Sequence, residues 1–187
     1  MKIWVVIAVV VVLPWVPAMQ MAFLYSRMIT PQACARSKTD FLDYSMENRT
    51  YRYFRGVPQY AFGYGLSYTT FEVGKAKISK KSMKVDGSVT ITVPVENTGD
   101  REGTETIQVY VKALDYAEAP IKSLKGFQKI NLKAGEKGKV QIVLDGESFQ
   151  YYDPSIDELS TKTGRYQILY GTSSLEKDLK SIDFVVK

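Results

Sequence analysis

The alternation Val89, Ile91, Val93, Val95 against Thr90, Thr92, Pro94, Glu96 constrains this chain most. A period of two sends apolar side chains to one side of a strand and polar ones to the other. Pro94 has no amide proton for a ladder, so this strand is expected at an edge or bulged there. Asn97-Thr98-Gly99-Asp100 closes it with turn residues. The same period returns at Ile107/Val109/Val111 (with Gln108, Tyr110 and Lys112 facing the other way), at Val140/Ile142/Leu144, at Tyr166/Ile168/Tyr170 and at Ile182/Phe184/Val186. Residues 69–78 and 123–130 supply further strands. No long stretch has a helical period. The pattern predicts an all-β domain, an antiparallel β-sandwich of about seven strands.

Composition narrows the chemistry. The 187 residues contain no histidine and one cysteine, Cys34. Serine and cysteine triads and nearly all catalytic zinc arrangements are thereby excluded, as is an internal disulfide. Cys34 in a Pro-Gln-Ala-Cys context is a poor lipidation site and reads as incidental. The net charge of +5 comes partly from lysines in 75–84 and 122–139, spread among the expected strands. Lysines so placed solvate faces and protect sheet edges, and no nucleic-acid motif accompanies them, so no nucleic-acid partner is expected.

Residues 49–71, RTYRYFRGVPQYAFGYGLSYTTF, obey neither period. Tyrosines and phenylalanines alternate with Gly56, Pro58, Gly63 and Gly65. Linkers are poor in aromatics, so this strap must lie on a large surface. Nothing else in the chain looks large enough to receive it, which predicts docking on another domain.

Several motifs in order carry a resemblance. Asp43-Tyr44-Ser45-Met46 precedes Arg49-Thr50-Tyr51-Arg52-Tyr53-Phe54, and Ala61-Phe62-Gly63-Tyr64-Gly65-Leu66-Ser67-Tyr68-Thr69 comes next. Val95-Glu96-Asn97-Thr98-Gly99, Ser123-Leu124-Lys125-Gly126-Phe127, and 164–171 with Ser173-Ser174 come after. From about Ser37 onward the chain resembles the end of glycoside hydrolase family 3 enzymes of the β-glucosidase and β-xylosidase type. There a junction segment leads into a C-terminal immunoglobulin/fibronectin type III-like domain. Ala61 replaces the usual proline. The lack of an immunoglobulin cysteine pair and core tryptophan suits that variant. The resemblance divides the chain into 1–36, a junction strap at 37–68, and a fibronectin type III-like domain at 69–187.

The resemblance also implies what is absent. The family's nucleophile is an aspartate in a (β/α)8 barrel, and its acid/base is usually a glutamate in an α/β domain. Neither domain fits before Ser37. The chain is expected to be non-catalytic and inactive alone, with no cofactor, and to brace the catalytic domains of such an enzyme. Arg49, Tyr51, Arg52, Phe54, Phe62, Tyr64, Leu66 and Tyr68 are the expected docking residues. The alternative is a free-standing exported module that binds carbohydrate or mediates adhesion, with Tyr110, Tyr116, Tyr151 and Tyr152 as candidate sugar contacts.

The remaining features are weaker. Asp115, Glu118, Asp153, Asp157 and Glu158 fall in two longer loops, 114–120 and 153–163. Paired carboxylates can hydrolyse glycosides, but only with a cleft and one raised pKa. They read as solvated acids, without a calcium-loop signature and with no metal site expected. Asn48-Arg49-Thr50 fits the glycosylation pattern and coincides with the family motif. Lys2 and the apolar run 3–13 read as a secretory signal peptide. Residues 3–25 carry no charge and are long enough to be a membrane anchor. Either sends the domain out of the cytoplasm, with membrane contact only through this segment. A third reading makes 1–36, which holds both tryptophans, the mis-assigned start of a truncated gene.

Overall fold

The computed structural model describes residues 46–153 and 155–187. The leader, Cys34, and the Asp43–Ser45 part of the first motif lie outside the described residues. Residues 57–60 form a unit apart from 46–56 and 61–187 and contain only bends. Every helix and strand among the described residues belongs to the larger unit.

One helical turn, α1 (Thr50–Tyr53), precedes eleven strands: β1 (Phe71–Val73), β2 (Lys77–Ile78), β3 (Ser82–Met83), β4 (Ser88–Asn97), β5 (Gly103–Ala113), β6 (Ser123–Leu132), β7 (Lys137–Asp145), β8 (Tyr151–Asp153), β9 (Glu158–Ser160), β10 (Gly164–Gly171) and β11 (Leu179–Val186). They form a four-stranded sheet of β1, β2, β4 and β7, a five-stranded sheet in the order β3-β11-β10-β5-β6, and a β8-β9 ribbon. All pairs are antiparallel except β3 with β11. Where β1 and β2 count as one interrupted strand, the two sheets have the layout of the expected sandwich.

Alternation in β4 is regular, with Val89, Ile91, Val93, Val95 and Asn97 all buried. They meet Val140, Ile142 and Leu144 of β7 and, from the other sheet, Ile107, Val109, Tyr166, Ile168, Phe184 and Val186. Phe149 is fully buried in the same core. It stacks on Phe184 and meets Tyr166 edge-on, both at 5.3 Å. A 3-10 turn, Gly146–Phe149, holds it, capped by reciprocal hydrogen bonds between Asp145 and Ser148.

The expectation that Pro94 marks an edge or a bulge is corrected. β4 lies between β7 and the β1/β2 line, with Pro94 in register opposite Lys139. The neighbouring strand is broken instead. Its gap falls at Gly74, whose amide donates to the Pro94 carbonyl at 2.9 Å. Any Cβ at Gly74 would sit 2.9 Å from the Pro94 ring. The ladder bond that proline cannot donate thus falls where the neighbouring strand is interrupted. Beyond the gap, the Ala76 amide donates to the Tyr170 hydroxyl at 3.0 Å, across the sandwich.

Asn97 is fully buried and fully bonded. Its Oδ1 accepts from Thr69 Oγ1 (2.7 Å) and Gly99 N (3.1 Å), and its Nδ2 donates to the carbonyls of Arg101 (2.7 Å) and Leu132 (3.0 Å). The expected loop at 153–163 is partly the β8-β9 hairpin. Asp153 closes it by accepting from Ser155 N (3.0 Å) and Ser155 Oγ (2.6 Å). An aspartate that bonds the backbone two residues on mimics a turn, and this places Tyr151 opposite Ser160.

Candidate docking face

Strand β5 is buried on both sides from Ile107 to Val111. Ile107, Val109 and Val111 enter the core. Gln108 and Tyr110 point the other way, yet are 6% and 0% exposed, because the strap covers them. Tyr51 of α1 stacks on Phe62 at 4.4 Å and 14°, and meets the Tyr110 ring edge-on at 6.0 Å. Its hydroxyl accepts from Leu124 N at 2.9 Å. Ile121 N donates to Arg52 O and Ser174 N to Phe62 O, both at 2.8 Å.

Gln108 ties the strap to the sheet. Its Nε2 donates to Thr172 O (2.7 Å) and Gly63 O (3.3 Å), while its Oε1 accepts from the Tyr110 hydroxyl. Burial, with Tyr51 beside it, raises the Tyr110 phenol well above its ordinary pKa. Gly63 has φ +80 and lies so close to Gln108 that a Cβ would be 2.3 Å from Oε1. A side chain there would displace the Gln108 amide from its bonds, and the left-handed backbone favours glycine independently.

The view that the strap has no partner within its own chain is therefore corrected for Tyr51 and Phe62, which are anchored on the sandwich. Arg52 is exposed, Arg49 and Phe54 are half-buried, and Phe54 folds over Gly56. Beyond Gly63 the strap turns outward. Tyr64 is 40% exposed, and Leu66 and Tyr68 are 90% and 95% exposed. The strap has a fixed root and an uncovered tip.

The candidate sugar contacts do not form a platform. Tyr110 is corrected outright, being sealed under the strap. Tyr151 is also buried, packed by Tyr116 at 5.6 Å with the Lys162 ammonium above both rings. Tyr116 is half-buried and donates to Thr163 O at 2.7 Å. Tyr152 alone presents an open face, and its hydroxyl donates to Asp157. Among the loop acids, Asp115 and Asp153 are engaged in ion pairs. Asp115 binds Arg165 through Nη2 at 2.6 Å and Nε at 3.0 Å, and Asp153 pairs with Lys162 at 2.5 Å. Both carboxyls are held below their ordinary pKa, Asp153 at about 2, chiefly by those hydrogen bonds. A general acid needs the opposite shift. Among the described residues, no group of three or more histidine, cysteine, aspartate or glutamate side chains could hold a metal ion.

Sequence reasoning missed Gln108 and Asn97. A glutamine in a half-polar strand carries no signal of its bonding, whereas Asn97 was visible as part of a turn motif without its buried role.

Two packed sheets with this strand order, closed by a buried asparagine turn, define a fibronectin type III-like sandwich, and residues 105–174 match the fibronectin type III-like domain family. The chain is 48% identical over 144 residues to a xylan 1,4-β-xylosidase of Xylanibacter ruminicola, covering 76% of this chain and 16% of that one. It is 41% identical over 128 residues to a periplasmic β-glucosidase of Salmonella typhimurium, covering 67% and 17%. A β-glucosidase from Listeria innocua, crystallised with isofagomine, superposes with a TM-score of 0.63 at 31% identity, covering 84% of this chain and 20% of that one. The chain thus spans about a sixth of the length of the curated relatives it matches. It carries the fibronectin type III-like domain of glycoside hydrolase family 3 β-glucosidases and β-xylosidases, a non-catalytic part of those enzymes.

Proposed function

We propose that this chain braces the catalytic domains of a family 3 β-glycosidase through the outer end of its strap. The observation behind this reading is the contrast within one short segment. Tyr51 and Phe62 are fixed on the sheet, while Leu66 and Tyr68 stand 90% and 95% exposed. Large apolar side chains held out from a rigid base are the usual anchors of an interface. The parent's activity would be hydrolysis of O-glycosyl bonds, as the names of the relatives suggest, with the two carboxylates that the family resemblance implies. Export is part of the proposal. It rests on the apolar run after Lys2, as signal or anchor, and on the periplasmic name of the Salmonella relative.

The test uses the catalytic portion of the Xylanibacter relative, produced without the segment this chain matches. Mixed with the full chain, it should co-elute on size exclusion and turn over an aryl β-xyloside faster or for longer. The full chain alone should turn over no aryl β-glycoside. A folded Leu66→Ser/Tyr68→Ser double variant should neither co-elute nor assist. If the wild-type chain also fails on both counts, the bracing role is wrong.

A further inference from the structure

A second concavity lies on the outer face of the five-stranded sheet. It is a pocket of about 170 Å³ whose lining includes Lys112, Lys122, Gln167, Leu169, Glu176 and Ser181. Register explains the cluster: Lys112 of β5 pairs with Gln167 of β10, and Leu169 pairs with Ser181 of β11, so all four project from one face. Lys122 enters from the connection before β6, which is pinned by the Ile121–Arg52 backbone hydrogen bond at 2.8 Å.

Lys122 is the anomaly in this pocket. It is 8% exposed, and among the described residues no hydrogen bond or ion pair engages its ammonium. Two partly exposed lysines of this domain have direct partners. Lys125 donates to Gln150 O at 3.0 Å, and Lys162 pairs with Asp153 at 2.5 Å. Burial lowers the pKa of Lys122, Glu176 offsets this only through space, and Lys112 adds to the lowering. The side chain is thus largely withdrawn from water while its ammonium keeps some contact with it, and an anion beside such a cation is favoured.

We propose that this pocket is a carboxylate-binding site, with Lys122 and Lys112 as its charge partners and the Ser181 hydroxyl as a neutral donor. Two lysines and one glutamate leave the pocket a net charge of +2 − 1 = +1. That balance matches a single carboxylate and disfavours multiply charged anions such as phosphate. The volume admits a carboxyl group and a few waters, at about 30 Å³ each. The carboxylate belongs either to a small free acid, such as a sugar acid, or to a side chain on a neighbouring protein surface. The site does not depend on the bracing role of the strap.

The full chain, with isotope-labelled lysine, is titrated with acetate, glucuronate, phosphate and chloride at constant ionic strength while the Lys122 side chain is followed by NMR. Acetate is expected to move the Lys122 resonance saturably and raise its pKa, with phosphate binding no more tightly. At ten times the dissociation constant, free sites fall about elevenfold. The response should vanish in Lys122→Met, read at the Lys112 resonance, and weaken in Lys112→Met. A further arm adds the catalytic portion of the Xylanibacter relative. Saturation by acetate and glucuronate identifies a free-acid site, and saturation by the catalytic portion alone identifies a side-chain carboxylate. If all three leave Lys122 moving only as chloride does, the wild-type titration overturns the proposal without any variant. A Lys112 response to acetate that persists in Lys122→Met overturns it too.

Discussion

Replacing Tyr51 by alanine tests whether the strap root belongs to the sandwich. The ring has two aromatic partners, Phe62 at 4.4 Å and Tyr110 at 6.0 Å, and its hydroxyl accepts from Leu124 N. Each aromatic contact is worth about 0.5–1.5 kcal/mol. Leaving a partly buried amide without its acceptor adds about 1 kcal/mol, the low end of the range for such groups. The sum, about 3 kcal/mol, matches the low end for an aromatic truncated to alanine, as suits a ring that is only half-buried. For a domain of this size the melting midpoint should fall by about 10 °C. Tyr51→Phe, which keeps the rings, should lose about 1 kcal/mol. Leu66→Ala, at the exposed tip, should stay within about 0.5 kcal/mol. Urea unfolding of the full chain, followed by tyrosine fluorescence with the slope held constant, measures all three. If Tyr51→Ala shifts stability no more than Leu66→Ala does, the strap root is outside the cooperative unit and the reasoning fails.

Asn97→Ala removes four side-chain hydrogen bonds and leaves the Leu132 carbonyl buried without its donor. A loss of about 3 kcal/mol or more is expected, with Asn97→Asp no better because a carboxylate cannot donate to Arg101 O or Leu132 O; thermal melts would measure it. Gly63→Ala should destabilise by at least about 1 kcal/mol, from the positive φ alone, and should broaden the NMR signal of the Gln108 amide. Asp153 has its pKa lowered from 3.8 to about 2, mainly by Lys162. Its stabilising effect is therefore complete above about pH 4 and is lost as pH falls toward 2. Asp153→Asn should flatten that part of the melting-temperature profile between pH 2 and pH 5, and an unchanged profile would rule the carboxylate out.

The strands with one buried face were legible because their side-chain period is an intrinsic property of extended backbone. β4 and β7 follow it residue by residue, β10 does so from Arg165 to Tyr170, and β11 from Ser181 to Val186. β5 was legible as a strand but not as a doubly buried one, since Gln108 and Tyr110 are outward residues that another segment happens to cover. The same fact spoiled Tyr110 as a sugar contact. Composition alone cannot distinguish an aromatic that stacks on a ligand from one that fills a lid. Pro94 misled because its constraint was met by the neighbouring strand, through a break at Gly74 that only the pairing register reveals. The strap was recognisable as a surface-seeking segment. Its division at Gly63 into anchored and exposed parts depends on a single glutamine 45 residues away in sequence.

The tip of the strap is an arc held at both ends. Phe62 is bonded to Ser174 on one side, and Thr69 is bonded to Asn97 on the other. Only the residues from Gly63 to Tyr68 lie between these moorings, so the arc samples few shapes. A partner closing over Leu66 and Tyr68 would freeze little that was not already restricted, and the entropy cost of association is correspondingly small. The arc also gives that partner a fixed bearing, because both moorings rest on the rigid sandwich. Loosening either mooring would weaken the contact without altering any residue that touches the partner.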